Sequence, residues 1–480
     1  MTAADQTDPT MASSQRLFKV MWAAEGGNDC AARLGRLSLP GRKAIDTPNY
    51  TGFASRGTIP HLTPDVLSKH SSLSSAYMAL EDFLDKKDPP ILKTPAHDAL
   101  HAFTSFPRHV STIMGARRVP AVVPPAGNTD KNIGIYTSTG FASITVAKYA
   151  SAIEKLHPDI VIPLAEMLHT SSNPVFKKQL RMAERTEGWV DEFLGLLDMT
   201  VTDVSVFAPI PPVEHPIQWS YLNHLSEDLA EKLSGLAIYD VNMLPELAAY
   251  KPLAQLPRLS LDIPQSPRAI LRQILLGVDM VMVPFVNGTS DAGIALTFTL
   301  RPPKSDATAC RQVLPLGVDM WSDEHRTSLA PLAEGCRCHT CQRHHRAYVH
   351  HLLNAREMLG WNLLQIHNHH VVDEFLKAIR ETLRSGGGAG TGTSELEAAS
   401  RRFEASYEPE LPEGTGQRPR ARGYHFKSQA GQERYNKPSW QGLGGVEPGQ
   451  QVSETPPPVP EGSGQTLAEK GFAQKEASSR

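Results

Sequence analysis

The sequence predicts an α/β chain, organised as a (β/α)8 barrel with a small helical appendage, and three observations lead there. Short β-rich runs recur at 159–164 (DIVIPL), 204–210 (VSVFAPI), 235–239 (GLAIY), 258–263 (RLSLDI) and 280–285 (MVMVPF). Helix-length amphipathic segments separate them, such as 218–233 and 266–276. Strands that read as continuous apolar runs are buried on both faces, and helices between them imply parallel pairing. Such alternation over about 300 residues favours a closed barrel over its competitor, a doubly wound open sheet. No G-x-G-x-x-G follows an early strand, which disfavours a dinucleotide-binding sheet.

The ends of the chain differ from this middle. Residues 1–14 carry Asp5 and Asp8 and no Arg, and no signal-type apolar core follows. That argues against a transit or signal peptide. Residues 385–480 open on a Gly-rich run and contain Pro456-Pro457-Pro458. Few aliphatic residues are available there to offset ordering entropy, so both ends are expected to be disordered. The expected organisation is a disordered 1–14, a barrel over 15–330, a helical subdomain over 331–384 and a disordered tail over 385–480. Net charge is -3, so no global positive field recruits nucleic acid, and any RNA contact must be local or borrowed from a partner. A basic patch at Arg418, Arg420 and Arg422, beside Tyr424, reads as solvated tail rather than a phosphate contact. No run of about 18 apolar residues is present to span a membrane.

The appendage follows from aliphatic spacing. Val349, Leu352, Leu353, Leu359 and Leu363 recur at helical intervals over 346–364, and Phe375, Leu376, Ile379 and Leu383 do so over 371–383. Two helices beside a metal knot are expected.

That knot is the most specific feature of the chain. Cys336, Cys338 and Cys341 are three of only five cysteines. A C-x-C-x-x-C turn presents three thiolates on one short loop, and neutral imidazole suits the fourth position of a tetrahedral zinc site. Buried thiols or a redox pair are the alternatives. Four protein ligands close the coordination shell, so such a metal is structural. His367 lies 26 residues after Cys341, across helix-length chain. On spacing alone it competes with His339, His344, His345, His350, His351, His369 and His370.

The stretches Gly335–Cys341, Arg346–Leu353 and His367-Asn368 resemble the zinc-binding region of tRNA-guanine transglycosylases. The resemblance continues through Gly277–Met280, Gly293–Phe298, Cys30–Gly35, Thr51–Phe53 and Gly57–Thr63, covering about residues 15–384. It implies a barrel with a zinc subdomain, zinc on Cys336, Cys338, Cys341 and His367 at one ion per chain, and guanine exchange at the tRNA wobble position.

The active-site positions depart from the family pattern. Base exchange needs a carboxylate to capture the ribose carbon and a second acid to manage protons on the bases. Where the family carries G-[VI]-D-[ML]-F-D-C-V, this chain reads Gly277–Pro284, and the nucleophile's position holds Met282. Asp279, three residues earlier, points to the opposite face near the strand's N-terminal end, away from where barrel chemistry occurs. The D-S-G-G-F-Q acid becomes Thr137. Ala165 and Met167 stand where Asp and Cys would contact the purine, and Pro211-Pro212-Val213 matches a Q-G-G turn.

The resemblance therefore implies a non-catalytic member. It would form a heterodimer with a catalytic queuine tRNA-ribosyltransferase subunit, with tRNA contacted through the complex. Cytoplasmic residence is expected, with peripheral attachment to the outer mitochondrial surface, as in animal relatives. Two rivals stand beside this reading. One is an active enzyme using Glu166, Asp203 or Asp291. The other is a zinc-dependent RNA-binding module using Arg337, Arg343, Arg346 and Arg356.

Overall fold

Eight parallel strands hydrogen-bond into a closed ring in the computed structural model, which describes residues 17–23, 31–84, 88–124, 127–168, 174–197, 203–302, 313–385 and 392–419. The N-terminal segment 1–14, Cys30, Cys310 and the tail from 420 lie outside the described residues. In chain order the strands are β1 (Phe18–Ala23), β2 (Arg33–Leu37), β3 (Ile45–Thr47), β4 (Asn49–Phe53), β5 (Ser75–Ala79), β6 (Ser111–Gly115), β7 (Asn132–Thr137), β8 (Gly140–Thr145), β9 (Ile160–Val161), β10 (Ser205–Ile210), β11 (Gly235–Ile238), β12 (Arg258–Ser260), β13 (Met280–Met282), β14 (Ile294–Leu296) and β15 (Gly317–Asp319). The ring runs β10-β11-β12-β13-β4-β5-β6-β9 and closes between β9 and β10. All five apolar runs read from the sequence are barrel strands. β4, β5 and β6 carry Thr51, Ser75, Ser111 and Thr112, which dilute the apolar signal. Three of these hydroxyls are paired, Thr51 with Ser75 at 2.9 Å and Thr112 with Asp159 at 3.0 Å.

The helices are α1 (Pro64–His70), α2 (Ala99–Thr104), α3 (Val146–Leu156), α4 (Phe176–Leu196), α5 (His215–Glu227), α6 (Leu244–Leu247), α7 (Lys251–Ala254), α8 (Pro267–Leu275), α9 (Phe285–Ala292), α10 (His339–Arg343), α11 (Arg346–Asn354), α12 (Met358–Ser385) and α13 (Gly392–Ser406). Local chemistry sets their ends. The Thr145 hydroxyl accepts from Lys148 N at the start of α3, and Pro267 opens α8, where its missing N–H costs nothing. α9 stops at Gly293, φ 81°, where a Cβ would lie 2.1 Å from Trp321 Nε1.

The antiparallel sheet β1-β2-β3 plugs the N-terminal end of the barrel, because β3 ends two residues before β4 begins. Phe18, Leu37, Leu39 and Ile45 join the barrel interior with Ile160, Phe207, Leu259 and Met280. Arg33 on β2 grips Asp279 through two hydrogen bonds of 3.0 and 2.6 Å, and Asp279 also accepts from Arg258 N at 2.9 Å. Both ions are buried, and these bonds are what such a pair needs to offset its desolvation.

Two sequence expectations are corrected. The segments 346–364 and 371–383 are not two helices of those lengths. Arg356 at φ 59° ends the first early, and α12 then runs unbroken from 358 to 385. The tail is not disordered from 385. Residues 392–406 form α13, which buries Leu396, Ala399 and Phe403, and Tyr407 beyond it is buried as well. Phe298 meets Phe375 and Phe403 edge-on, and the Tyr407 hydroxyl accepts from Thr299 N at 3.1 Å. This aromatic burial supplies the apolar area that the composition of the tail as a whole lacks.

Candidate metal centre and the barrel mouth

The CRCHTC loop turns around Cys338, whose sulfur caps α10 by accepting from Cys341 N at 3.3 Å. Thr340 Oγ1 donates to Leu363 O at 2.7 Å and fastens the loop onto α12. That brings the three sulfurs against His367. Cys336, Cys338 and Cys341 Sγ lie 3.6, 3.5 and 3.4 Å from His367 Nδ1, and the four ligand atoms fall within 4.8 Å of one another. His367 is fully buried, and its Nε2 donates to Leu296 O at 2.8 Å. That bond fixes the tautomer and frees the Nδ1 lone pair for a metal. Hydrogen bonds among the thiols pull the Cys336 thiol well below its usual range and push that of Cys338 well above it, so the crowded sulfurs need a cation before all three can be thiolates. The cluster fits one metal ion.

The competing histidines have other partners. His339 stacks on His70 at 3.9 Å, and His344 stacks on Tyr348. His345 caps α11 through Tyr348 N, and His350 faces Met320 O. His351 is exposed. Four consecutive residues of α12 do four jobs. His367 faces the thiols. Asn368 donates to Ser290 Oγ and Ile294 O and accepts from Leu296 N, each at 2.9 Å. The His369 ring lies 3.0 Å from the Tyr50 hydroxyl and 3.1 Å from the Gln365 amide. His370 lies within hydrogen-bonding reach of Cys336. Sequence reading missed the roles of Asn368 and His369, for which the polar run HNHH inside an apolar helix was the available signal.

The other predicted positions do not converge into one site. Met282 ends β13 and is fully buried in the interior cluster with Phe53, Tyr77, Ala79, Ile162 and Leu261. Tyr77 lies across Gly115, where a Cβ would sit 2.2 Å from its oxygen, and donates to Arg117 O at 2.5 Å. Tyr239 packs beside this cluster, and burial pushes its phenol up to about 12. Thr137 turns inward on its own hairpin, donating to Gly140 O at 3.0 Å. Ala165 is buried and Met167 half-buried.

The rival acids are engaged elsewhere. Glu166 accepts from Asn128 at 2.8 Å and Arg185 at 3.0 Å. Asp203 is exposed. Asp291 is not free at the barrel mouth. It lies on α9, beyond the eighth barrel strand, and pairs with His61 at 2.5 Å. Sequence reading also missed Glu81 and Asp82, which follow β5 at the C-terminal end. Glu81 accepts from Arg118 N and Tyr136 N at 2.8 Å and pairs with Arg118 Nε at 2.9 Å. Asp82 accepts from Arg56 N and faces Arg118. Burial raises the Glu81 carboxyl above its ordinary range.

Comparison with known proteins agrees with this architecture. The family profile described as TGT, queuine tRNA-ribosyltransferase, matches residues 29–391. The chain belongs to the queuine tRNA-ribosyltransferase family. Among relatives, the queuine tRNA-ribosyltransferase accessory subunit 2 of Schizosaccharomyces pombe is 34% identical over 403 residues, spanning 83% of this chain and 87% of that protein. Proteins of the same name from Drosophila pseudoobscura pseudoobscura and Ixodes scapularis are 28% and 27% identical, each over 74% of this chain and over 87% and 93% of their own lengths. Among the described residues, no helix is long and apolar enough to cross a membrane.

Proposed function

We propose that this chain is the non-catalytic subunit of a heterodimeric queuine tRNA-ribosyltransferase. It pairs with a catalytic member of the family and helps position tRNA while guanine at wobble position 34 is exchanged for queuine. One observation carries the reading: a fully buried thioether, Met282, packed among Phe53, Tyr77, Ile162 and Leu261 at the nucleophile's position. A thioether forms no ester-like bond to ribose, and the aromatic packing occupies the place where a purine and its polar partners would sit. Glu81, Asp82 and Glu166 have oxygens committed to arginines and backbone N–H groups, which disfavours a substitute nucleophile.

The metal in this reading is zinc, one per chain, held by Cys336, Cys338, Cys341 and His367. Tetrahedral zinc with Zn–S about 2.3 Å and Zn–N about 2.0–2.1 Å implies S···N separations of about 3.5–3.6 Å. The observed 3.4–3.6 Å supports that assignment. When bound, zinc supplies structural cross-linking and no reactive position. It orders the 331–384 unit and so shapes one part of the contact with the partner. The chain resides in the cytoplasm, with peripheral contact to the mitochondrial outer surface.

The deciding experiment is co-purification of the tagged chain followed by guanine-exchange assays with and without what it brings down. A family member with intact aspartates should co-purify, and the isolated chain should not exchange base. Robust turnover by the chain alone, lost in Glu81→Gln, would replace this reading with an active enzyme.

A further inference from the structure

A polar cleft of about 330 Å3 opens between the C-terminal end of α1 and the metal loop. Lys69 and His70 form one wall, Arg337, His339 and Gln342 the other, and His370 of α12 lies at its back. The His70–His339 stack at 3.9 Å holds the two walls together, so the cleft depends on the loop being folded. Among the described residues no carboxylate lines it. Lys69 reaches Asp65 at 3.7 Å only across an exposed helical turn. Arg337, exposed between two metal ligands, makes no hydrogen bond or ion pair with any described residue.

We infer that this cleft binds a phosphodiester of the RNA backbone. The inference rests on the accessory-subunit reading, to which it adds a site. Lys, Arg, Ser and Gln are the side chains that contact phosphate and sugar oxygens in nucleic-acid complexes, and the lining holds these types, including Ser71 and Ser72. A dication on three thiolates leaves a formal charge of about -1. Arg337 offsets that, and Lys69 with the imidazole N–H groups remains to face an anion. A guanidinium presents a planar fork suited to phosphate. The acidic chain as a whole provides no field for RNA, so a local cleft of this kind is where such affinity must reside.

The test uses the full metal-loaded chain, both free and co-purified with its catalytic partner, and a fluorescent tRNA transcript carrying G34. Binding is measured against salt for wild type, Arg337→Gln, Lys69→Gln and the double variant. The double variant should bind about tenfold more weakly at low salt, with the slope of log K against log salt reduced by about 1 to 2. Metal content and co-purification should be unchanged, since both side chains are exposed. An unaltered affinity and slope would overturn the assignment. An equal loss in the control Arg401→Gln/Arg402→Gln on α13 would also overturn it, by showing general charge rather than a site. Loss of co-purification with tRNA affinity intact would assign the cleft to an acidic protein surface and likewise overturn it. Failure of the accessory-subunit reading looks different: wild type brings down no family member, whatever the cleft variants do to RNA affinity.

Discussion

The metal loop and the barrel mouth meet opposite demands with opposite chemistry. At the loop, four ligand atoms converge within 4.8 Å, and a further hydrogen bond orients the imidazole. At the mouth, where the proposed function puts a lost carboxylate, Met282, Phe53, Tyr77 and Leu261 pack as core. A metal knot is a folding device, and losing one ligand leaves charged, unsatisfied partners. A catalytic pocket is a strained, desolvated cavity, and filling it with apolar side chains stabilises the barrel. The two regions therefore report separately on what the fold needs and on what its reaction needs.

The contrast can be broken most severely at the loop. Cys338→Ala, or chelation of the native protein, should remove a folding contribution of about 10 kcal/mol or more in gross metal binding. Hydrogen exchange should rise across 336–367 while the barrel strands stay protected, and co-purification with the partner should fail. Metal-free protein that keeps its protection and its partner would refute the structural role.

The next largest effect lies at the mouth. Met282→Asp should cost about 3–5 kcal/mol, because an unpaired carboxylate is buried in an apolar cluster. It should restore no base exchange. A denaturant midpoint unchanged from wild type would show that the mouth is wetter than its packing implies.

His369 tests the junction between the two regions. Burial lowers its imidazole from 6.5 to about 4. A depressed pKa contributes stability that is full above about pH 6.5, declines as pH falls and is gone below about 4, roughly 3 kcal/mol in all. His369→Gln should flatten the melting temperature over that window, and an unchanged pH profile would deny the burial effect.

The smallest effect is on the outer ring, where His224 bridges Asp191 and Asp228 at 2.8 and 2.7 Å. The Asp191 hydrogen bond, aided by Asp228 against some burial, raises the His224 pKa. That contribution is complete below about pH 6.5 and lost as pH rises through the raised value, and solvent screening keeps it below about 1 kcal/mol. His224→Ala should therefore lower stability at pH 6 and leave it nearly unchanged at pH 9.

Legibility of the fold tracked how much of each element's partner lay within the element itself. The runs at 204–210 and 235–239 announced strands because both faces are apolar. The segment STIMG of β6 did not, since Thr112 is satisfied by Asp159, a residue far along the chain. The metal ligands were legible from spacing plus resemblance, because thiolates crowd into one loop. The choice of His367 over His369 and His370 depended on helix rotation, which spacing alone does not reveal. α13 was hidden by the Gly-rich run before it, although Leu396, Ala399 and Phe403 carried the helical interval.

The run His367-Asn368-His369-His370 makes α12 a keyed shaft. Each successive residue turns by about 100°, so the four side chains spread over about 300° and engage four neighbours within one revolution. A single residue inserted between Asn362 and His367 would swing the imidazole away from the sulfurs and leave Asn362 still bonded to His61 O at the other end. Any change of length inside this turn would therefore uncouple the imidazole from the sulfurs while the rest of the helix stayed in place.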